Sequence, residues 1–203
     1  MRARQNLPFI AVPPSSRGTA VPVGLAWRAL SALLVAGWLS CSPPAAGAGT
    51  IEPWTGGPTP PLTLKDVDGR EWRLADFRGR VVVVNFWATW CAPCVAEMPS
   101  LQRLRDRLAP QGLEVLAVNF QENAARIRPF VERLDFTVPV LRDHDGSASR
   151  AWGVRVYPTT FIVGPDQRIV MVAIGEIDWT DPAIIQRLRA LTGASTTRSA
   201  SAR

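Results

Sequence analysis

Cys91 and Cys94 stand in the run Asn85-Phe86-Trp87-Ala88-Thr89-Trp90-Cys91-Ala92-Pro93-Cys94, where an apolar stretch gives way to a helix-periodic one. Two thiols at this spacing can close a disulfide and open it again. The attacking species in such exchange is the thiolate, and a helix N-terminus at Cys91 favours negative charge through its unpaired backbone N–H groups and its dipole. Cys91, first in the pair and nearer solvent, is read as the nucleophile, and Cys94, on the apolar stripe of the helix, as the resolving thiol. Ala92 and Pro93 between them shape the helix start and so help set the potential. Structural zinc is the ordinary alternative, but it wants four ligands, and the chain offers one further cysteine, Cys41, and one histidine, His144. The pair is therefore read as a redox disulfide without metal or cofactor.

Glu97 follows Cys94 by three residues, about one helical turn, and its angle places it within the apolar stripe. A carboxylate there is partly desolvated, which raises its pKa and lets it exchange a proton with a cysteine near neutral pH. A surface glutamate stabilised by the helix dipole is the competing reading.

Elements must place these groups. Val81 to Phe86 is a continuous β-branched run, the pattern of a strand buried on both faces, and it delivers Cys91 to its carboxyl end. From Pro93 to Leu108, Cys94, Met98, Leu101, Leu104 and Leu108 recur at helical spacing, while Arg103, Asp106 and Arg107 turn outward; Pro99 removes one hydrogen bond and predicts a kink. Ahead of this unit, Pro61 to Asp66 and Arg70 to Leu74 flank an Asp68-Gly69 turn and read as a hairpin. Behind it come a strand over Leu113–Phe120, a helix over Ala124–Leu134, a short strand over Thr137–Leu141 and a helix over Ser147–Trp152. Strands over Thr159–Val163 and Arg168–Ile174 and a helix over Asp181–Leu191, capped by Asp181, complete the pattern.

The stretch from Val81 to Pro99, with Trp-Cys-Ala-Pro-Cys and Glu97-Met98-Pro99, resembles the TlpA/ResA branch of the thioredoxin superfamily. Gly153 to Phe161 and Gly175 to Trp179 are similar to further segments of that branch, so the likeness runs from about Pro60 to about Leu191. It implies an α/β, thioredoxin-like fold: a central mixed β-sheet flanked by helices, with an added N-terminal β-hairpin and a helix/strand insertion. It implies that Tyr157-Pro158 is a cis X-Pro element facing the cysteines and offering backbone hydrogen bonds to a client; a proline opening an edge strand is the alternative. Trp90, Pro93, Tyr157 and Pro158 are then the substrate-binding residues, Cys91, Cys94 and Glu97 the catalytic ones. Trp87 is read as ordinary core. Thioredoxin itself has a buried aspartate where Asn85 stands, and an amide cannot shuttle protons, which moves acid–base work towards Glu97.

The 203 residues carry a net charge of +6, but Arg2, Arg4, Arg17, Arg28, Arg198 and Arg203 lie at the ends, and the remaining 17 basic residues balance 17 acidic ones. No patch argues for nucleic acid. Residues 1–48 read as a signal peptide or N-terminal membrane anchor: a basic region to Arg28, an apolar stretch Ala29 to Leu39, then Ala46-Gly47-Ala48 as a small-x-small cleavage site. Cleavage near Ala48, retention of Val21 to Leu39 as an anchor in the inner membrane, and lipidation at Cys41 all stay open. Residues 49–60 read as a linker, 61–192 as the domain and 193–203 as a disordered tail.

Export to the periplasm, or to the outer face of a bacterial inner membrane, follows. In an oxidising compartment a dithiol stays reduced only if something reduces it, so a membrane thiol electron donor of the DsbD/CcdA kind is an implied partner. The reading is a thiol-disulfide oxidoreductase, a protein-disulfide reductase, whose disulfide-containing clients in this branch serve cytochrome c maturation or copper-centre assembly. A disulfide oxidant and a copper-binding metallochaperone of the Sco type are the alternatives, the latter using two cysteines and a distant histidine; its cysteines are three residues apart and His144 is not where that family places its ligand. A peroxidase is weaker still, since Pro-x-x-x-Thr-x-x-Cys is missing before Cys91.

Overall fold

The computed structural model describes the backbone of residues 49–200 and the side chains of residues 49–193. The leader alternatives, with Cys41 and the cleavage site ending at Ala48, lie outside the described residues. Among the described residues no helix is long and apolar enough to cross a membrane.

The run Val81–Trp87 forms strand β4, and all seven of its residues are buried. Side chains of a strand alternate between faces, so this strand must be covered twice. Val81, Val83 and Trp87 enter one core with Met98, Leu101, Leu104 and Leu108 of helix α1 (Ala92–Leu108), which runs on through Pro99, and with Ile185 and Leu188 of the C-terminal helix. Val82, Val84 and Phe86 enter a second core with Leu62, Leu74, Phe77, Trp152 and Phe161.

The remaining strands, in chain order, are β1 (Thr50–Pro53), β2 (Thr63–Lys65), β3 (Glu71–Arg73), then β5 (Leu113–Phe120), β6 (Val140–Asp143), β7 (Thr159–Val163) and β8 (Ile169–Ile174). Helices α2 (Ala124–Arg133), α3 (Ser147–Ala151) and α4 (Pro182–Ala200) complete the set. Six strands form one mixed sheet in the order β1-β8-β7-β4-β5-β6. In it β4 runs parallel to β5 and antiparallel to β7, and β5 runs parallel to β6. The hairpin β2-β3 stands as a separate two-stranded sheet. Asp66 ties its turn together: Oδ1 accepts from the N–H groups of Asp68 and Arg70, both at 2.9 Å, and Oδ2 from Trp72 Nε1 at 2.8 Å.

Three expectations are corrected. Residues 49–60 are not simply a linker, because Thr50 to Pro53 pair antiparallel with Ile174 to Met171 as the edge strand β1. The expected tail from 193 is helical as far as Ala200. The short strand lies at Val140–Asp143, not Thr137–Leu141, because buried Asp143 ends it by accepting the N–H groups of Ala148 and Ser149 in α3 at 3.0 and 2.8 Å. Asp181 caps α4 as expected, its Oδ1 accepting from Ala183 N–H at 2.8 Å.

Leu101 is fully buried between α1 and the sheet. Leu101→Ala removes that packing and leaves a cavity, and we expect urea denaturation to show a loss of about 2–5 kcal/mol.

Candidate active site

Strand β4 ends at Trp87, the chain turns through Ala88, Thr89 and Trp90, and α1 starts at Ala92. Cys91 is the N-cap of α1, with extended backbone, and its Sγ accepts from Cys94 N–H at 3.3 Å. Pro93 sits in the first helical turn, where a missing N–H leaves no intrahelical bond unmade. Cys91 and Cys94 are joined by a disulfide, their Cα atoms 5.3 Å apart. Cys94 is fully buried and Cys91 is 6% exposed. Of the two, Cys91 is the less covered, although in the disulfide state it is itself nearly enclosed.

The register places Thr159 opposite Phe86, so Tyr157-Pro158 arrives at the carboxyl end of β4, where the cysteines are. The Tyr157-Pro158 bond is cis. Trp90, 59% exposed, stands edge-on to the Tyr157 ring at 5.9 Å, and the Phe120 ring lies against Tyr157 at 5.1 Å. Pro158 is buried and Pro93 exposed. Trp87 is fully buried and packs on Phe130, an ordinary core position.

Glu97 is 2% exposed. The surface-glutamate alternative fails: the helix turns this side chain inward, where the interior strand β4 and the segment after β8 hold it. Its Oε1 accepts from Asn85 Nδ2 at 2.7 Å, and Asn85 Nδ2 also donates to Thr160 Oγ1 at 2.8 Å. Its Oε2 accepts from Ile177 N–H at 3.1 Å and from Trp179 Nε1 at 3.4 Å. Burial pushes the carboxyl pKa up to about 7, against the hydrogen bonds from Ile177, Asn85 and Trp179, and the Glu176 carboxylate adds to the rise. Asn85 is thus a satisfied core amide that positions the acid.

A second carboxylate beside the active-site turn has no counterpart in the sequence reading. Buried Glu122, two residues beyond β5, accepts from Thr89 N–H at 2.8 Å, from Thr89 Oγ1 at 2.5 Å and from Asn119 Nδ2 at 2.8 Å, and pairs with Arg126 Nε at 2.6 Å. Burial works to raise its pKa, but the bonds from Thr89 and Asn119 and the Arg126 charge outweigh it and hold the group ionised. It braces the turn that carries Trp90 and Cys91. The available signal was its place at the carboxyl end of a strand parallel to β4, where sites on such sheets gather.

His144 is exposed in the turn between β6 and α3. Among the described residues, no group of three or more His, Cys, Asp and Glu is placed to hold a metal ion.

Residues 55–172 match the family described as AhpC/TSA. The thiol-disulfide oxidoreductase ResA of Geobacillus thermodenitrificans is 38% identical over 126 residues, which cover 62% of this chain and 72% of that protein. ResA of Bacillus subtilis is 34% identical over 120 residues, 59% of this chain and 67% of that one. Among solved structures, the pneumococcal exposed lipoprotein thioredoxin of Streptococcus pneumoniae superimposes with a TM-score of 0.58 at 30% identity, covering 65% of this chain and all of that one. With a closable Cys-x-x-Cys at a helix N-terminus, a thioredoxin-like sheet and these relatives, the chain belongs to the AhpC/TSA family as a ResA-like thiol-disulfide oxidoreductase.

Proposed function

We propose that the protein reduces disulfides in client proteins outside the cytoplasm, with Cys91 as nucleophile, Cys94 as resolving thiol and Glu97 as proton carrier. The observation that carries this reading is the buried carboxyl of Glu97 one turn beyond fully buried Cys94. Cys91 thiolate attacks one sulfur of the client disulfide, and the other sulfur leaves as a thiolate. Cys94 then gives its proton to the Glu97 carboxylate and attacks Cys91 Sγ, which closes the enzyme disulfide and releases the second client sulfur. Exposed Trp90, with Tyr157 and Pro158 beside it and Pro93 at the helix start, is the surface on which the client strand lies.

The likeness to ResA supports cytochrome c maturation as the setting, with copper-centre assembly as the second client class. The likeness to the exposed lipoprotein thioredoxin of Streptococcus pneumoniae supports a place outside the cytoplasm, reached by the leader in residues 1–48. A DsbD/CcdA-like membrane thiol donor returns the pair to its reduced form.

Trapping tests the roles. Cys94→Ser leaves the first step intact and blocks the second, so it accumulates mixed disulfides with clients that dithiothreitol releases, whereas Cys91→Ser accumulates none; adducts forming equally on Cys91→Ser would move the nucleophile to Cys94.

The buried acid also leaves a mark on stability. Its folded pKa, about 7, lies above the usual 4.5, so folding favours the protonated form. Stability from this group is full below about pH 4.5 and is lost as the pH rises towards 7, by about 3 kcal/mol at most. Thermal or urea denaturation from pH 4.5 to 8 is expected to show that decline in the oxidised protein and a flatter profile in Glu97→Gln; equal slopes in the two would remove Glu97 as the titrating group.

A further inference from the structure

Gly49 immediately precedes β1, and its N–H donates to the Glu176 carbonyl at 2.7 Å. The nitrogen of that same peptide unit, Ile177 N, donates to Glu97 Oε2 at 3.1 Å. One peptide group therefore joins two hydrogen bonds head to tail, from Gly49 N–H to the buried carboxylate. An amide whose oxygen accepts a hydrogen bond gains charge-separated character and becomes a stronger donor at its nitrogen, so bonds chained in this way strengthen one another. We propose that Gly49 is a positioning residue for the thiol chemistry, its N–H polarising the Glu176–Ile177 peptide and so strengthening the bond this peptide gives to the charged form of Glu97. Gly49 has an amide N–H only where the chain continues before it, so the inference takes the leader as retained, and the segment that enters the domain is thereby linked to the proton carrier.

The contact is built for close approach. A Cβ on residue 49 would lie 2.6 Å from the Gly175 carbonyl carbon and 2.7 Å from the Ile174 carbonyl oxygen, backbone atoms that cannot swing aside. Gly175 itself has φ +87°, a left-handed conformation that suits glycine. Thr50 pairs with Ile174, which fixes Gly49 in register. The charged group acting on Glu97 is the Glu176 carboxylate, of the same sign. Cys91 and Cys94 share its helix and are closed in the disulfide. From β4, and from the segment after β8, the groups that reach it are the uncharged Asn85, Ile177 N–H and Trp179.

The inference rests on Glu97 titrating beside the thiols, and one experiment separates the two claims. Amide proton shifts of the oxidised full chain are followed by NMR from pH 5 to 9. Ile177 and Gly49 are expected to move with one common midpoint, and both lose that movement in Glu97→Gln. In Gly49→Ala the midpoint read at Ile177 is expected to rise by about 0.5 pH units, because a weaker bond to the charged form leaves burial less opposed. Ile51→Ala, which loosens β1 without touching Gly49, is expected to leave the midpoint in place. A Gly49 amide that stays flat while Ile177 titrates overturns the relay alone, as does an equal shift in Ile51→Ala. An Ile177 amide that does not titrate removes the role of Glu97 and the relay with it. Should Gly49→Ala fail to fold, the titration of the unaltered chain still decides.

Discussion

The site depends on keeping one carboxyl group out of water about one helical turn beyond a disulfide. Left bare, such a group would cost several kcal/mol in its charged form; Asn85, Ile177 N–H and Trp179 lower that cost without cancelling it. The balance leaves Glu97 near pH 7, where it can be filled and emptied by small changes in its surroundings. Fully satisfied by a cation, it would be a fixed charge; wholly unsatisfied, a permanent neutral acid. Both extremes would end the proton-carrier role proposed for it.

Three separate segments of the chain build that balance. Asn85 comes from β4, Glu97 from α1, and Ile177 and Trp179 from the segment after β8. Strand β4 is buried along its whole length, with alternate residues packed into two cores, which fixes Asn85 within the sheet. The same strand hands Cys91 to the start of α1, where the helix N-terminus supplies the N–H of Cys94 to Cys91 Sγ. In the proposed exchange, a dipole favouring thiolate at Cys91 and an acid able to take a proton near Cys94 would divide the labour between the two sulfurs.

Much of this could be read in the sequence where local pattern and tertiary demand agree. The strand over Leu113–Phe120 and the strand over Thr159–Val163 stand where apolar runs bounded by turn residues placed them. Glu97 was legible because helical spacing alone turns it towards the stripe of Cys94, Met98 and Leu101. Partners supplied by long-range contact were not. Thr50–Pro53 carries Pro53 and precedes a Gly- and Pro-rich stretch, and β8, which lies more than 100 residues away, is what makes it a strand. Asp143 reads as a loop residue until its carboxylate is seen capping α3. Glu122 reads as one acid among many until Thr89 and Asn119 close on it.

The reduction potential of the Cys91–Cys94 couple is the most direct measure of the account, determined in defined thiol buffers near pH 7 with the two cysteines read by alkylation. A reductant is predicted, with a value towards that of thioredoxin, about −270 mV. A value towards that of the oxidant DsbA, about −120 mV, would contradict it and make disulfide formation the reaction this site performs.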